Sequence, residues 1–469
     1  MAKKVKISYV CQECGYDSPA FLGKCPECGN WNSFKEFREV PLSSQKGSDS
    51  LIASTEQNPK KLSDIVYSEK LRIQTKFKEL NTVLGGGIVR GSATLLAGDP
   101  GIGKSTLLLQ LCLSLAQEGK TVLYISGEES VEQIKMRADR IIAKNKEQRA
   151  KSKEPEHIFD TLLLVSLSDP DQAIVQIDNV KPDFVVVDSI QTMQSQNLEG
   201  MSGAVGQVRY AAMHYIRTAK ALNIPVFLVG HVTKDGMVAG PMVLSHMVDT
   251  VLFLEGEKFT STRLLRSLKN RFGPVDEVGI FLMDEEGLKE VDNPEQIFLT
   301  QKSGDVPGSV LVVTMEGTRA FLVEIQALAV SSHLPMPRRV VSGLDQKRVE
   351  LLLAVLQKHC RVAVDSMDIF VNVAGGLRLS DPGIDLGICL AIYSSVKNIP
   401  LTKVVGIAEV GLLGELRTVA SLDKRVREAE KLGFSSILTA RTSKFLPNVL
   451  QSLGKSEARN SKSEEKFNA

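Results

Sequence analysis

The sequence predicts an α/β protein made of a small cysteine-rich module, a large domain around a parallel sheet, and a separate α+β domain. Three observations support this prediction. Four of the seven cysteines lie within residues 11–28. Strand-like apolar runs then alternate with helical patterns from residue 93 to residue 230, as in a parallel sheet covered by helices on both faces. A second change of composition, near Asn293–Pro294, precedes new strands and helices.

The individual elements follow from the periodicity of apolar residues. In the large domain, strands are predicted at Ala93–Gly98, Thr121–Ser126, Leu162–Val165, Phe184–Asp188 and Pro225–Gly230, with helices at Thr106–Gln117 and Val205–Leu222. In the last domain, strands are predicted at Ser309–Thr314, Ala320–Ala329 and Met367–Val373, with helices at Gln346–Leu356, Leu386–Val396 and Leu422–Leu432.

Composition also predicts where the domains begin and end. We expect a cysteine-rich module over residues 1–42, a linker rich in Ser, Gln, Lys and Gly over 43–61, the large α/β domain over 62–293, the α+β domain over 294–453 and a disordered tail over 454–469. The basic N-terminus is not followed by the apolar segment of a secretory signal, so we expect a cytoplasmic protein.

The overall composition is that of an ordinary globular protein. Of the 469 residues, 43% are hydrophobic and 24% are charged, and 57 Lys and Arg against 55 Asp and Glu give a net charge of +2. Any nucleic-acid surface must therefore be local. Only 5% of the residues are aromatic, which disfavours base stacking as the main binding device. No apolar run reaches the roughly 18 residues of a membrane-spanning helix.

The N-terminal cysteines are spaced as metal ligands. Cys11 and Cys14 form one Cys-x2-Cys turn, and Cys25 and Cys28 form a second one after ten residues. Four thiolates suit a tetrahedral Zn²⁺ site that leaves no position for water, so the predicted role is structural. Two disulfides are the alternative, which a reducing compartment disfavours. The remaining cysteines, predicted to be core residues, are Cys112, Cys360 and Cys389.

A phosphate-binding loop is predicted at the start of the large domain. The segment Gly98-Asp99-Pro100-Gly101-Ile102-Gly103-Lys104-Ser105-Thr106 fits G-x-x-x-x-G-K-[ST] in full, follows an apolar strand and opens a Leu-rich helix. Its backbone N–H groups can contact phosphate oxygens at a helix N-terminus. Lys104 is expected to contact the β- and γ-phosphates of ATP, and Ser105 to bind Mg²⁺. A Gly-rich turn that binds no nucleotide is the alternative.

Polar residues that follow other core strands complete the predicted site. Asp188 ends a buried strand and is the expected Mg²⁺ carboxylate. Glu128 follows the earlier strand that ends at Ser126, and it is expected to orient the attacking water. His231 ends a third strand, where it is expected to sense the γ-phosphate. The respective alternatives are a carboxylate that caps a strand end, a solvated acidic turn and a hydrogen-bonded strand-end histidine.

A basic pentapeptide follows, Lys269-Asn270-Arg271-Phe272-Gly273. With the four-cysteine N-terminus and the phosphate loop in this order, the chain resembles the RadA (Sms) family of bacterial DNA repair proteins, relatives of RecA and of DnaB-type helicases, over nearly its whole length. The resemblance implies a RecA-like ATPase that assembles into a hexameric ring on single-stranded and branched DNA. It also implies branch migration together with RecA during homologous recombination and the repair of DNA damage.

The resemblance implies roles for single residues. The matching positions are Lys104 and Ser105 of the nucleotide site, the catalytic Glu128, the Mg²⁺ ligand Asp188, and the basic pair Lys269 and Arg271. Independently of the family, two cations that flank an Asn and precede Gly273-Pro274 form a rigid basic turn. Such a turn can contact the γ-phosphate of a neighbouring subunit and stabilise transition-state charge. A solvated basic turn is the alternative.

Two loops are expected to contact DNA, because a RecA-like ring places mobile loops at its axis. The corresponding stretches are Gln194–Val205 and Lys234–Ser245. Their neighbouring cations would contact phosphates rather than bases, which predicts salt-sensitive binding with little sequence preference. Surface loops without a ligand are the alternative. The predicted DNA-contacting cations are Arg209, Arg217, Lys220 and Lys234.

The C-terminal domain resembles the proteolytic domain of Lon but lacks its catalytic pair. The Ser position of the Lon turn is occupied by Asp385, and the Lys position falls at Asp423. A Ser–Lys mechanism therefore lacks its nucleophile and base, and the domain is predicted to be a ring-forming scaffold and not a protease. A dyad restored by Lys424 or Ser421 is the alternative. A basic DNA surface, or simply a solvated helix face, is formed by Lys347, Arg348, Lys424, Arg425 and Arg427.

The leading functional prediction is an ATP-driven, ring-shaped branch-migration helicase. The alternative is a scaffold that binds DNA or RecA under the control of ATP and does not translocate. The coincidence of Glu128 and Asp188 with the basic pair Lys269 and Arg271 favours the motor, because a switch needs no rapid transition-state stabilisation. A role of the zinc module in partner contact is a hypothesis that rests on its small size, its linker and the aromatic residues Trp31, Phe34 and Phe37.

Overall fold

The computed structural model describes residues 6–11, 16–27, 29–39, 61, 63, 72–148, 158–231, 241–256, 261–291 and 306–454. The domain boundaries predicted near residues 42 and 293, and nearly all of the predicted linker and tail, lie outside these ranges. Contacts divide the chain into two compact units. The first is Met1–Glu255 with Arg263–Glu290, and the second is Gly256–Thr262 with Val291–Ala469.

The N-terminal module contains a small three-stranded sheet. Strand β1 (Lys6–Cys11) lies between β2 (Asp17–Ser18) and β3 (Phe34–Glu39) and is antiparallel to both. So short a segment encloses too few apolar side chains to be stable alone, so a bound metal is expected to hold it folded. Its buried apolar cluster consists of Cys11, Cys25 and Phe34.

A nine-stranded sheet forms the centre of the first unit. It is preceded by the short pair β4 (Arg72–Ile73) and β5 (Ile88–Val89). In chain order its strands are β6 (Ala93–Gly98), β7 (Val122–Ser126), β8 (Leu162–Ser166), β9 (Phe184–Asp188), β10 (Val226–His231), β11 (Thr250–Glu255), β12 (Thr262–Asn270), β13 (Val278–Asp284) and β14 (Gly287–Glu290).

The spatial order of the strands is β14-β13-β12-β11-β6-β10-β9-β7-β8. All neighbours from β11 to β8 are parallel, whereas β12 is antiparallel to β11, and β14 to β13. Every residue of β6, β7 and β9 is buried, as expected for central strands of a sheet covered on both faces. The predicted α/β fold is confirmed.

Helices cover both faces of this sheet. Successive residues of β9 belong to different apolar clusters: Val186 packs with the leucines of α2, and Val187 packs with residues of α5 and α6. The helices of the first unit are α1 (Lys78–Val83), α2 (Lys104–Gln117), α3 (Val131–Gln148), α4 (Ile158–Thr161), α5 (Pro170–Val180), α6 (Val205–Leu222) and α7 (Pro241–Ser245).

The second unit is an α+β domain around a six-stranded mixed sheet. Its strands are β15 (Ser309–Glu316), β16 (Arg319–Ser331), β17 (Arg339–Ser342), β18 (Met367–Val373), β19 (Val404–Ile407) and β22 (Ser436–Thr439), in the spatial order β17-β18-β16-β15-β19-β22; the pair β20 (Glu409–Val410) and β21 (Leu416–Arg417) stands apart. Its helices are α8 (Gln346–Cys360), α9 (Asp385–Lys397), α10 (Leu422–Lys431) and α11 (446–454).

The three cysteines outside the N-terminal module lie on helices. Cys112 and Cys389 are fully buried, as predicted, whereas Cys360 at the end of α8 is half-buried. Burial raises the pKa of the Cys360 thiol to about 11, so it stays protonated near neutral pH. In the ranges that the structure describes, no helix combines the length and the apolar character needed to cross a bilayer.

Candidate functional site

The loop after β6 has the conformation of a phosphate-binding loop. Gly103, immediately before α2, has φ 113°, and Gly98 at the end of β6 has φ 154°. A Cβ at Gly98 would lie 2.3 Å from the backbone oxygen of Leu254 on the adjacent strand. Only glycine fits there without displacing the neighbouring strand. The tip of the loop, Asp99–Gly101, is exposed.

Lys104 is buried at the start of α2 and points back under the loop. Its Nζ donates hydrogen bonds to the backbone oxygens of Gly98 at 2.8 Å and Asp99 at 2.9 Å. Burial lowers the pKa of Lys104 to about 8, although the carboxylates of Asp188, Asp99 and Glu128 act against this shift. The phosphate-binding loop therefore holds the Lys104 side chain in position.

Four strands bring polar residues to the same edge of the sheet. Gly98 pairs with His231 across β6 and β10, and Ser126 pairs with Asp188 across β7 and β9. Because parallel strands all end at one edge, the polar residues that follow them lie around the phosphate loop. The structure therefore brings together the residues that the sequence predicted for the nucleotide site.

Asp188 is 7% exposed, and its carboxylate accepts a hydrogen bond from a buried side chain. The hydroxyl of Tyr124, in the middle of β7, donates to Asp188 Oδ2 at 2.5 Å. Burial, and then the charge of Asp188, raises the pKa of Tyr124 well above its usual range, so this phenol remains a donor. Tyr124 lies inside an apolar run, so this contact could not be predicted from the sequence.

Glu128 lies between a serine and the predicted sensor. Its Oε1 accepts a hydrogen bond from Ser189 Oγ at 2.5 Å and lies 3.6 Å from His231 Nε2. His231 and then Ser189 lower the pKa of Glu128 to about 2, against the effect of partial burial. The carboxylate is thus ionised at physiological pH, as a residue that orients an attacking water must be.

His231 has room for a further partner. Neither of its ring nitrogens makes a hydrogen bond within the part of the chain that the structure describes, although both are buried. Its backbone oxygen accepts a hydrogen bond from Gln191 Nε2 at 3.1 Å, which ties the end of β10 to the segment after β9. The Glu128 carboxylate lies close to Nε2 but beyond hydrogen-bond distance, so the imidazole can still form a hydrogen bond with a phosphate oxygen of a bound nucleotide.

These residues fit a nucleotide with its metal. The loop offers backbone N–H groups at a helix N-terminus, Lys104 supplies a cation, and Ser105 at the first turn of α2 lies at the edge that also holds Asp188. Hydroxyl and carboxylate oxygens are the ligands that Mg²⁺ prefers. The donor set therefore suits ATP with Mg²⁺.

Arg263 is a residue of this site that sequence reasoning missed. It lies on β12, is 6% exposed, and its Nε donates to the backbone oxygen of Ile102 in the phosphate loop at 3.1 Å. Burial lowers the pKa of Arg263, although a guanidinium remains charged. Only the tertiary pairing of β12 with β11 brings it to the loop, so the pattern of apolar residues gave no indication.

The basic pentapeptide lies at the opposite edge of the same sheet. Arg271 donates from its backbone N–H to the backbone oxygen of Asp249 and from its side chain to Asp249 Oδ1, both at 3.1 Å. Asp249 Oδ2 accepts a hydrogen bond from the backbone N–H of Ala93, the first residue of β6. The six residues of β6 therefore separate Arg271 from the phosphate loop, about 20 Å at 3.3 Å per residue.

The remaining residues of the pentapeptide shape the turn. Lys269 Nζ donates to the backbone oxygens of Ser245 at 2.7 Å and Val248 at 2.8 Å, so this cation closes the end of α7. Asn270 Oδ1 accepts from the N–H of Phe272 at 2.9 Å. The backbone of Gly273 packs so closely on Gly85 that a Cβ at Gly273 would lie 2.9 Å from the Gly85 Cα. Arg271 is consequently the exposed cation of a braced turn.

The first predicted DNA loop is anchored at its base. Gln207, fully buried on α6, bonds to the backbone of Ser195 at 2.9 Å and 3.1 Å and to Leu198 at 2.7 Å. Asp171 on α5 accepts hydrogen bonds from Ser195 and Asn197. These bonds hold residues 195–198 and leave the exposed side chain of Met201 near the tip of the loop.

The predicted DNA-contacting cations are distributed unevenly. Arg209 and Arg217 lie on α6, with Arg217 exposed, whereas Lys234 lies outside the described residues, with most of the second loop. Lys220, near the end of α6, lies 3.8 Å from Asp249 Oδ1. Fifteen residues of helix separate it from Val205, about 22 Å at 1.5 Å per residue, so the structure places Lys220 beside Arg271 and away from the first loop.

The described cysteines of the N-terminal module fit a metal site. Cys11 and Cys25 are both buried, and Cys14 and Cys28 lie outside the described residues. The backbone N–H of Cys11 donates to the backbone oxygen of Tyr16, and that of Cys25 to the backbone oxygen of Asn30, both at 2.9 Å. Of the aromatics, Trp31 is 70% exposed, but Phe34 is buried, and the side chain of Phe37 is not described.

Ion pairs occupy the Lon-like positions of the second unit. Asp385 is 1% exposed and accepts hydrogen bonds from the guanidinium of Arg348 and from the N–H of Val410. Arg425 is 2% exposed and paired in the same way with Asp381. The suggestion that Arg348 and Arg425 belong to a free basic surface is therefore wrong, because both are used inside the fold. Asp423 is exposed and pairs with Arg441 at 2.7 Å.

Three family models match separate parts of the chain. The model of an AAA domain matches residues 56–237, that of a rubredoxin metal binding domain residues 9–36, and that of subunit ChlI of Mg-chelatase residues 337–443. The first indicates a nucleotide-binding ATPase domain that typically works with Mg²⁺, and the second supports Zn²⁺ in the N-terminal module. They agree with a RecA-like core flanked by a zinc module and a Lon-like domain.

Curated relatives match nearly the whole length. The DNA repair protein RadA of Halalkalibacterium halodurans is 47% identical over 444 residues, 93% of each chain. The same protein of Bacillus subtilis is 45% identical over 93% of this chain and 92% of its own, and that of Listeria monocytogenes is 42% identical over 97% of both. The crystal structure of the RadB recombinase covers 47% of this chain and 99% of its own at 26% identity, with a TM-score of 0.37 that is too low to establish a common fold. Identity of this extent over nearly the full length shows that the chain belongs to the RadA family of DNA repair proteins.

Proposed function

We propose that this protein is an ATP-dependent branch-migration helicase that acts with RecA in homologous recombination and recombinational DNA repair. The observation that supports this most directly is the position of Arg271. It lies at one edge of the central sheet, and Lys104 of the same chain lies at the other. A cation so far from its own nucleotide site cannot contact that nucleotide, so any contact of Arg271 with a γ-phosphate would be with the nucleotide of a neighbouring subunit.

Hydrolysis is divided among residues with separate tasks. Lys104 and the loop N–H groups hold the phosphates, and Glu128, ionised beside His231, orients the attacking water. Ser105 and Asp188 would hold the Mg²⁺ that accompanies ATP, and this ion would supply positive charge next to the phosphates. Arg271 of the neighbour contacts the γ-phosphate as charge develops, an effect worth about 10³–10⁵ in rate where it has been measured in related mechanisms.

This arrangement implies a ring. If Arg271 at one edge of the sheet acts on a nucleotide at the opposite edge of a neighbouring subunit, the two subunits must be in head-to-tail contact. Head-to-tail contacts close into a ring when the rotation between subunits permits. We infer a hexamer from the family pattern of the Lys269–Gly273 pentapeptide. Two edges of each subunit are then in contact with different neighbours, so the hydrolysis at one site depends on the position of the next subunit.

DNA binding is assigned to the channel of this ring. The loop anchored by Gln207 begins shortly after Asp188, so a change at the nucleotide has a short path to the loop. Arg209 and Arg217 on α6, and Lys234 beyond β10, are the proposed contacts to DNA phosphates. We propose binding of single-stranded and branched DNA, with affinity that falls steeply with salt.

The flanking domains have supporting roles in this proposal. Cys11, Cys14, Cys25 and Cys28 hold one structural Zn²⁺. The Lon-like domain contributes to the ring and is not a protease, because its Ser position is Asp385, which is buried in an ion pair.

The alternative function is a scaffold that binds DNA or RecA when ATP is bound and does not translocate. An assay with branched DNA distinguishes the two functions. A three-stranded branched substrate with one labelled strand is incubated with the protein and RecA. If the protein is a motor, it should extend the paired region of the branched DNA with ATP but not with a non-hydrolysable analogue. The Glu128→Gln variant, which should retain nucleotide binding, should not extend it with either. Equal extension with ATP and with the analogue would establish the scaffold.

A further inference from the structure

The hydrogen bond between Tyr124 and Asp188 is unusual in its setting. The ring of Tyr124 is fully buried in the apolar cluster that includes Cys112 and Val186, and only its hydroxyl reaches a polar atom. A phenylalanine would fill the same space without a polar atom to satisfy. A tyrosine in a fully buried strand is therefore best explained by what its hydroxyl contacts.

The direction of this bond is fixed. Tyr124 is the donor and Asp188 the acceptor, because the phenol O–H is directed at a carboxylate oxygen 2.5 Å away. The bond occupies Asp188 Oδ2 and therefore sets the rotation of the carboxylate about its own axis. The other oxygen, Oδ1, accepts no hydrogen bond from the residues that the structure describes, and it is therefore available to a different partner. Parallel pairing of β7 with β9 holds the two side chains in this relation.

We propose that Tyr124 is a positioning residue for the magnesium site, which orients the Asp188 carboxylate so that Oδ1 serves the metal of the bound nucleotide. This inference rests on the proposed assignment of Asp188 to Mg²⁺. Groups that orient a metal ligand through a hydrogen bond commonly change metal affinity or activity by about 10- to 100-fold when removed. Tyr124 is expected to act in this range.

The test is the Mg²⁺ dependence of nucleotide binding by the full-length protein. A fluorescent ATP analogue is titrated in EDTA and then at a series of Mg²⁺ concentrations, with wild type and Tyr124→Phe. We expect equal affinities in EDTA, because the loop and Lys104 are intact. With Mg²⁺, the half-saturating concentration should rise about 10-fold or more in Tyr124→Phe, and high Mg²⁺ should restore binding.

Two further variants make the outcome specific. Tyr215→Phe removes the hydroxyl of another fully buried tyrosine, which donates to the sulfur of Met193, and should leave the Mg²⁺ dependence unchanged. Asp188→Asn should raise the Mg²⁺ requirement strongly. If Asp188→Asn shifts the curve and Tyr124→Phe does not, the positioning role is wrong while the metal assignment stands. If Asp188→Asn has no effect, the metal assignment itself fails, and the positioning role fails with it.

Discussion

Arg271 is held 3.1 Å from Asp249 Oδ1 at the edge of the sheet where β6 begins, whereas Lys104 lies where β6 ends. About half of the Arg271 side chain is exposed, so the ion pair orients the guanidinium without enclosing it. Lys220 lies near the same carboxylate, at 3.8 Å. The turn therefore presents one oriented arginine to whatever adjoins this edge.

The trans role of Arg271 predicts complementation between two inactive variants. Lys104→Ala should lose nucleotide binding, and Arg271→Ala should bind nucleotide normally but lose DNA-stimulated ATPase by about 10³-fold or more. In mixed rings, a Lys104→Ala subunit still supplies Arg271 to a neighbour with an intact phosphate loop. Mixing the two inactive proteins should therefore restore part of the ATPase rate, measured with DNA present.

The matched control for this experiment is Lys220→Ala. It removes the other cation near Asp249 without changing the turn, and should keep the ATPase rate within about twofold. Mixed rings that stay inactive, or an Arg271→Ala protein that hydrolyses ATP at the wild-type rate with DNA, would contradict the trans role.

The low pKa of Lys104 predicts proton uptake when nucleotide binds. With a pKa of about 8, the amine is charged below that pH and about half neutral at pH 8. Bound phosphates favour the charged form, so ATP binding should take up about half a proton at pH 8 and almost none at pH 6.5. Calorimetry in buffers of different ionisation enthalpy measures this number.

The control for proton uptake is Lys104→Arg, whose guanidinium remains charged throughout this pH range. The number of protons that Lys104→Arg takes up on binding ATP is subtracted from the number for wild type. This subtraction removes the contribution of the ATP phosphates. The same count for both proteins at pH 8 would show that Lys104 is already fully charged before nucleotide binds.

Most of the nucleotide site was predictable from sequence, because Lys104, Glu128, Asp188 and His231 end or follow apolar strands. Arg263, which lies within β12, was not predictable in this way. Once strands β6, β7, β9 and β10 are known to be parallel, Lys104, Glu128, Asp188 and His231 must lie at one edge of the sheet. The motif around Lys104 is local, and its glycines report backbone conformation directly. Beyond the parallel arrangement of these strands, no detail of the packing was needed to place these residues.

The contacts between elements distant in sequence were not predictable. Tyr124 reaches Asp188 only because β7 pairs with β9, and Arg348 reaches Asp385 only because α8 packs on α9. Both look like ordinary core or surface residues in the sequence. Lys220 was grouped with the DNA loop because it follows the loop in sequence, but the length of α6 carries it to the other edge.

Metal removal should unfold the N-terminal module alone. The module has only a small apolar cluster, so chelation of Zn²⁺ should remove most of its stability and leave the ATPase core unchanged. Trp31, the single tryptophan of the chain, makes this easy to follow. Its fluorescence anisotropy should fall on chelation, and proteases should cut within residues 10–32.

The variant Cys25→Ser should show the low anisotropy without chelator, whereas Cys112→Ser, in the ATPase core, should respond to chelator as wild type does. Unchanged anisotropy and unchanged protease sites after metal removal would mean that the module folds without Zn²⁺.

The ion pair of Asp385 predicts a pH-dependent loss of stability in the Lon-like domain. Removing one partner of a buried pair leaves the other uncompensated, and Arg348→Ala should lower the stability of this domain by about 2–3 kcal/mol at pH 7. This destabilisation is smaller than that expected for a fully buried ion pair, because 34% of the Arg348 side chain is exposed. Burial already raises the pKa of Asp385, and loss of Arg348 raises it further.

A carboxyl whose pKa is raised in the folded state favours folding at low pH, and this contribution is lost as the pH rises through the folded-state pKa. The difference in the stability of this domain between wild type and Arg348→Ala should therefore be largest at pH 7 and become smaller towards pH 5. Hydrogen exchange of the α9 amides measures it within this domain. Arg441→Ala breaks the exposed pair with Asp423 and should change the stability by less than about 0.5 kcal/mol at either pH. An equal loss at pH 7 and pH 5 in Arg348→Ala would show that Arg348 stabilises the domain by packing and not by compensating the charge of Asp385.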